Sequence, residues 1–334
     1  MFKRQIDVVL IKANGEATVV VNHKDYPNTF MCSGTFERFS GTESDKAVIT
    51  IYNLPAIIRG EIALREYVGI CVKYSYADET NWPSDLFVGQ IVRQFNKSAD
   101  EVTDATVIIA LDTGNFSSFG FFKNSYTNDT NLYQIIDDLL REAKDNGQLD
   151  SYEISEKLKE YKTQVSKSYY GASENILQEI TKENSLMYTK TKNSVSINTI
   201  EDVLDTNKTV TVFAAFDENT GRIESRSGLI GFPELTDSGI TINCLVNTNI
   251  GINSLVQIDN GIININKSQS TISNTEFGAN IDPDGLYIVT KIDGTFSNDG
   301  RENSMTLQCY SRKAVYDLFC PGLIEEIFGE VDGQ

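Results

Sequence analysis

Histidine is nearly absent: His23 is the one example in 334 residues. The commonest general base and metal ligand is thereby removed from most of the chain. Any Ser-His-Asp or Cys-His mechanism would have to use a residue in the polar stretch VNHKDYPNT, which reads as a surface turn. Cysteine is sparse as well. Cys32, Cys71, Cys244, Cys309 and Cys320 are odd in number and widely spaced, with no C-x-x-C pair, so no zinc site or disulfide framework is indicated. Four of them sit in apolar strand-like runs (FMCSGTF, VGICVKY, TINCLV and TLQCY), where cysteine acts as a small hydrophobe. Reduced, buried thiols and folding in a reducing compartment are expected.

Positive charge is also scarce. Lys and Arg number 29 against 47 Asp and Glu, a formal charge of −18, which excludes a simple basic footprint for nucleic acid. No 18 consecutive residues are apolar, so no membrane span is expected. The start, MFKRQIDVVLIKANG, is broken by Asp7 and Lys12 and does not read as a signal peptide. Phosphate loops are missing: Leu111-Asp112-Thr113-Gly114-Asn115 resembles a strand meeting a loop, but no Gly-rich motif follows. Asp137-Asp138 reads as the polar face of a helix, and Asp282-Pro-Asp284-Gly285 as a β-turn without the twelve-residue pattern of a Ca²⁺ loop. No cofactor and no metal are expected, and no catalytic constellation is visible.

What is present is β-structure. At roughly 150 residues per domain, the length suggests about two domains, and 40% hydrophobic with 23% charged residues is ordinary for a globular chain. Up to about residue 112, runs such as QIDVVLI, EATVVVN, KAVITIYNL, SDLFVGQIVRQF and EVTDATVIIAL alternate with turn residues, the pattern of a sandwich or barrel. Leu54-Pro55 followed by AIIRGEI predicts a helical turn. From residue 113 the texture changes. NLYQIIDDLLREAKDNG predicts a helix burying Leu132, Ile135, Ile136, Leu139, Leu140 and Ala143, capped by Asn128, Asp129 or Thr130 and closed by Gly147. A second helix is expected through ENILQEITKEN with Ser173 as N-cap, then a hairpin in SLMYTKTKNSVSIN. Strand patterns return after about residue 209. No fixed-period repeat is found.

The fold class expected is β-rich α+β, with two barrel- or sandwich-like modules flanking a smaller α/β insert. The boundaries are 1–112 for the first module, 113–200 for the insert, 201–313 for the second module with a long excursion at about 247–284, and 314–334 for a C-terminal docking tail.

Several segments in order resemble a known family. KAVITIYNLP at 46–55 is similar to its strand followed by Ile-Tyr-Asn-Leu, and EYVGICVKYSYADETNWPSDLFVGQIVRQF at 66–95 to its next hairpin. RSGLIGFPELTDSGIT from Arg226 resembles the opening of its second module, with INCLVNTNIGINSLVQID following. GLYIVTKIDGTFSNDGRENSMTLQC resembles its closing pair, although Asp293-Gly294-Thr295-Phe296 stands where many members carry His-x-Gly-Asp-Thr. The family is the central baseplate hub of contractile-tailed bacteriophages and phage-like injection machines, the late control or phage protein D-like hubs. The resemblance implies a non-enzymatic structural protein whose two tube-like modules per chain mimic six tube subunits in a homotrimeric ring. It further implies contact with the tail tube, the central spike and other baseplate proteins (wedge or tape measure), and DNA that only transits the lumen. The location implied is the virion tail baseplate, assembled in the host cytoplasm.

The charge agrees with that picture: three chains at −18 each would carry −54, and an acidic wall repels duplex DNA. Candidate partner-interface residues are Tyr52, Leu54 and Ile57 at a module corner, and Phe116, Phe119, Phe121 and Phe122 in an aromatic loop. The tail adds Leu318, Phe319, Leu323, Ile324, Ile327 and Phe328. Two other readings stay open, a cell-wall hydrolase at the tail tip and a trimeric receptor- or glycan-binding tail protein. For the latter, the single tryptophan, Trp82, is the one Trp platform available.

Overall fold

The computed structural model describes residues 4–25, 27–40, 44–76, 83–98, 103–112, 120–191, 194–205, 210–217, 222–225, 228–263, 281–300 and 303–319. Strict alternation makes the first strand: Ile6, Val8 and Leu10 are buried, while Asp7, Val9 and Ile11 between them are partly exposed. The first half continues this way through β1 (Arg4–Lys12), β2 (Ala17–Val21), β3 (Cys32–Phe39), β4 (Lys46–Tyr52), β5 (Tyr67–Tyr76), β6 (Ser84–Ser98) and β7 (Asp104–Leu111). Helix α1 (Ala56–Ala63) follows Pro55 and links β4 to β5.

The middle of the chain has its own core. Helix α2 (Leu132–Asp145) buries the six apolar residues its periodicity predicts, and α3 (Ser173–Glu183) packs beside it. The caps differ from expectation by one residue. Asn131 caps α2, its side chain accepting from Gln134 N at 2.7 Å, and Ala172 rather than Ser173 precedes α3. Around them lie β8 (Phe121–Tyr126) paired with β10 (Lys167–Ala172), and β9 (Ser151–Ile154) beside the hairpin of β11 (Met187–Thr191) and β12 (Ser194–Asn198).

After the short helix α4 (Ile200–Val203), the second half supplies β13 (Thr211–Val212), β14 (Ala214–Asp217), β15 (Arg222–Ser225), β16 (Glu234–Thr236), β17 (Gly239–Leu245), β18 (Leu255–Gln257), β19 (Leu286–Ser297) and β20 (Ser304–Ser311). Helix α5 (Arg312–Phe319) ends the described chain. The excursion expected at 247–284 is packed over its first part, with Ile250, Leu255, Val256 and Ile258 buried; residues 264–280 lie outside the described residues.

The two halves share one sheet. Its strand order is β16-β17-β20-β19-β3-β4-β7-β6-β5-β1-β2, and β19 of the second half pairs antiparallel with β3 of the first. The path has two ends, so among the described residues no closed barrel forms. One hydrophobic cluster runs beneath both halves, from Ile6 to Cys309.

The halves repeat each other. β3-β4-β5-β6-β7 and β16-β17-β18-β19-β20 follow in the same chain order, and in each the sheet order is first, second, fifth, fourth, with the third strand pairing along the early part of the fourth. Both fourth strands carry a bulge at the matching position, between Ile91 and Arg93 in β6 and between Val289 and Lys291 in β19.

The seam rests on two glycine–phenylalanine pairs. Gly294 faces Phe36 and Gly34 faces Phe296, with Thr295 opposite Thr35 between them. Each ring lies over the opposite glycine. A Cβ on Gly294 would fall 2.2 Å from Phe36 Cζ, and one on Gly34 2.5 Å from Phe296 Cζ. Both rings are 1% exposed.

Candidate interaction surface

Most of the titratable groups that sequence reasoning singled out are engaged in holding the fold. His23 is not a free surface residue: its Nδ1 lies 2.8 Å from Asp7 Oδ1, and its backbone N–H donates to the same oxygen at 2.7 Å. Asp282 to Gly285 forms the expected turn, with Gly285 N donating to Asp282 O and φ of +68° at the glycine. The Asp282 carboxylate accepts from Arg312 Nε at 2.6 Å and Nη2 at 2.8 Å, which ties α5 to that turn. Asp137 and Asp138 pair with Arg141 on the outer side of α2. Cys32, Cys71, Cys244 and Cys309 are free and buried, and burial pushes the Cys32 and Cys244 thiols up to about 12. Cys320 lies outside the described residues. Among the described residues, no group of three or more His, Cys, Asp or Glu is placed to hold a metal ion, and no helix is long and apolar enough to cross a membrane.

One buried charge is unusual. Asp45 is 7% exposed, and desolvation raises its carboxyl to about 6 despite the Phe39 N–H it accepts at 3.1 Å and the field of Arg38. Arg38 donates to the Leu86 carbonyl and lies over the Phe36 ring, so this charge sits beside the seam.

The solvent face of the shared sheet is lined by hydroxyl and amide groups. One row crosses five strands as Asn243, Thr306, Asp293, Glu37 and Lys46, directly opposite one another in register. Thr306 donates to Asn243 at 2.7 Å and Lys291 pairs with Asp293 at 2.9 Å. Two acids and two lysines therefore balance there.

The surface that lacks partners lies at the sheet's open edges. β6 is 15 residues long and β5 ends against its middle: Ser84 to Gln90 run along β5, while among the described residues Arg93 to Lys97 have strand partners in β7 alone. Among the described residues, no strand lies on the other side of β6 from Arg93 to Lys97. The far half of β6 also exposes Val92 (51%) and Phe95 (41%). Long edges with exposed apolar groups invite strand addition. Helix α1 runs alongside without filling the space. Gln94 donates to the Ile62 carbonyl, and a groove of about 820 Å³ remains between them. Its walls include Arg59, Arg65 and Arg93 and no acid, a local reversal of sign in an acidic chain. At one end of the path β16 has no second strand beside it among the described residues, with Glu234 and Asp237 exposed and Ile230 (41%) and Phe232 (68%) just before it.

The residues proposed from sequence fall in different places. Leu54 and Phe122 are buried in this chain's own cores, Tyr52 is half-buried, and Ile57 is exposed on α1. Phe121 is 52% exposed and meets the exposed Tyr170 edge-to-face at 5.0 Å. Leu318 and Phe319 belong to α5, although their side chains lie outside the description. Phe116, Phe119, Leu323, Ile324, Ile327 and Phe328 lie outside the described residues, as does Trp82. Sequence reasoning did not single out the β6 edge or the run from Ile230 to Glu234, where the structure exposes Val92, Phe95, Ile230 and Phe232. The available signal was the strand-like QFNKS continuing past the point where β5 could cover it.

Neither a family model nor a curated protein sequence matches the chain. Solved structures do. The 43 kDa tail protein of prophage MuSo2 from Shewanella oneidensis superposes with a TM-score of 0.52 at 11% identity, over 93% of this chain and 98% of that one. A tail protein from Neisseria meningitidis gives 0.53 at 7% identity, over 95% and 99%. The chain therefore has the fold of these phage-type tail proteins, the kind of protein its motifs resemble.

Proposed function

We propose that this protein is a structural, non-enzymatic component of a phage-type tail, the baseplate hub whose ring of three chains joins a sixfold tail tube to a threefold central spike. The observation that carries this reading is the duplicated five-strand unit within one chain of tail-protein fold. Three such chains present six near-equal units, so a sixfold neighbour stacks on a threefold assembly with little strain. The tail tube, the spike and other baseplate proteins are the partners of this arrangement, and the virion tail is its location.

Passage of DNA through the ring suits the chemistry of the sheet. Phosphate is retained by surplus lysine and arginine, through counterion release. Around the seam the solvent face of the shared sheet offers none, since Lys46 and Lys291 are matched by Glu37 and Asp293 among neutral hydroxyls and amides. With a net charge of −18 per chain, duplex passes without being held.

The test is mass measurement and electron microscopy of the full-length chain, alone and with tube and spike proteins. A ring of three chains that stacks on the tube is expected. A chain that stays monomeric with both partners present overturns the proposal.

A further inference from the structure

The seam inside the chain is a template for a seam between chains. It joins the fourth strand of one unit, β19, to the first strand of the other, β3. The remaining fourth strand is β6, whose far half has β7 on one side alone among the described residues, and the remaining first strand is β16, which ends the sheet path. We propose that the far half of β6 pairs antiparallel with β16 of a second copy of this chain, in the register that the internal seam dictates, so that Lys97 lies directly opposite Glu234 of the neighbour. This rests on the ring reading, since it needs two copies side by side.

The register follows from matched pairs. Arg93 of β6 faces Ile109 just after its bulge, as Lys291 of β19 faces Gln308 after its own. Ile109 faces Val48 and Gln308 faces Thr241, so Val48 and Thr241 correspond. Val48 faces Thr35 and Thr241 faces Glu234, so Thr35 and Glu234 correspond. In the seam, Thr35 lies opposite Thr295, four residues beyond Lys291. Four residues beyond Arg93 is Lys97. Moving the seam to the chain boundary therefore sets Lys97 against Glu234, Asn96 against Leu235 and Phe95 against Thr236.

Three independent features fit this occupant. The first is charge. The groove between α1 and β6 is walled by Arg65 and Arg93, and by Arg59, which pairs with Asp104, whereas β16 and the turn after it bring Glu234 and Asp237. Opposite charges directly across a strand pair are favourable, and like charges are not. The second is apolar surface. Val92 and Phe95 are exposed on one edge and Ile230 and Phe232 beside the other, where pairing would cover them. The third is space, because the groove lies along Gln90 to Asn96, where a strand adding to the β6 edge would enter. The contact is heterologous, with a different surface on each side, which is the kind that closes into a ring.

Zero-length carbodiimide cross-linking of the full-length protein tests this, on an equal mixture of ¹⁴N and ¹⁵N copies with peptide mass spectrometry. The expected result is an amide between Lys97 and Glu234 carrying mixed isotopes. The variant Lys97→Glu should weaken self-association by about tenfold, and adding Glu234→Lys to the same chain should restore it. Both side chains are exposed in the single chain, so neither change disturbs its core. Rings that form with mixed-isotope links at other positions, or that ignore the charge exchange, overturn the register and leave the hub reading standing. A chain that never associates overturns both.

Discussion

Placing a methyl group on Gly294 tests the seam most directly. The Cβ of Gly294→Ala would stand 2.2 Å from Phe36 Cζ and 2.4 Å from Cε1, so the ring has to move. Phe36 is 1% exposed within the main core, with no free volume to enter, and overpacking of this kind costs about 1–3 kcal/mol. Because the colliding atoms are the far end of the ring, shortening the ring relieves the clash. Phe36→Leu alone should cost about 1–2 kcal/mol through lost volume. The double variant Gly294→Ala with Phe36→Leu should then be more stable than the sum of the singles by about 1 kcal/mol. The mirror position behaves differently. A Cβ on Gly34 would meet Phe296 and also the Val48 carbonyl oxygen at 2.7 Å, and backbone cannot step aside. Phe296→Leu should therefore fail to rescue Gly34→Ala. Gly60→Ala is the control: nothing lies within 4 Å of its Cβ inside α1, and a gain of about 0.5–1 kcal/mol is expected. Urea titration at unchanged slope reads all of these. Singles and double that add within about 0.5 kcal/mol would refute the packing described for the seam.

Other outcomes follow from particular groups. Asp45 has its folded value raised to about 6 from 3.8, so its contribution to stability is complete below pH 4 and lost as pH rises through 6. Asp45→Asn removes that loss, and should exceed the parent by up to about 3 kcal/mol above pH 6 while matching it below pH 4, in denaturation followed across pH. Arg312→Ala leaves the Asp282 carboxylate, whose side chain is 2% exposed, without its guanidinium and held by the Asp284 and Leu286 N–H groups, and should cost about 3 kcal/mol by the same assay. Asn131→Ala removes the cap of α2 and should cost about 1 kcal/mol, with amide exchange at Gln134 rising first.

How far the sequence could be read depended on the range of the interactions involved. The helix at Leu132–Asp145 was legible because its signal is local: six apolar residues at helical spacing bury on one face whatever surrounds them. The strands were legible for the same reason, and Ile6, Val8 and Leu10 show it. Pairing was not, since a strand's alternation says which face is buried and nothing about its neighbour. The side chains proposed for contact illustrate the limit. Leu54 and Ile57 are three residues apart in an apolar stretch, yet one is 3% exposed and the other 76%, because α1 turns only Ile62 and its neighbours toward β6. The stretch around His23 reads as a surface turn because the residue's partner, Asp7, is sixteen residues away on another element.

The two expected modules left no fixed-period repeat in the sequence for a related reason, and that reason bears on how such a chain diverges. What repeats is five strands in one order with one bulge, and what separates them does not repeat. Between second and third strand the first unit has α1, while the second unit has the turn from Asn247 to Ser254. Between third and fourth it has few residues in the first unit and a long excursion in the second. A fixed period cannot survive that, and each strand needs only an alternating pattern, which Ala47, Ile49 and Ile51 satisfy as well as Ile240, Ile242 and Cys244. The same latitude explains 7–11% identity across whole chains that share this fold. One tripeptide nevertheless stands on both sides of the seam, on non-equivalent strands of the two units: Gly34-Thr35-Phe36 and Gly294-Thr295-Phe296 face each other there. There alternation is not enough, because a ring of that size packs over the opposite strand only where a side chain is missing. The close approach, unlike the strand, restricts which residues can stand at its position.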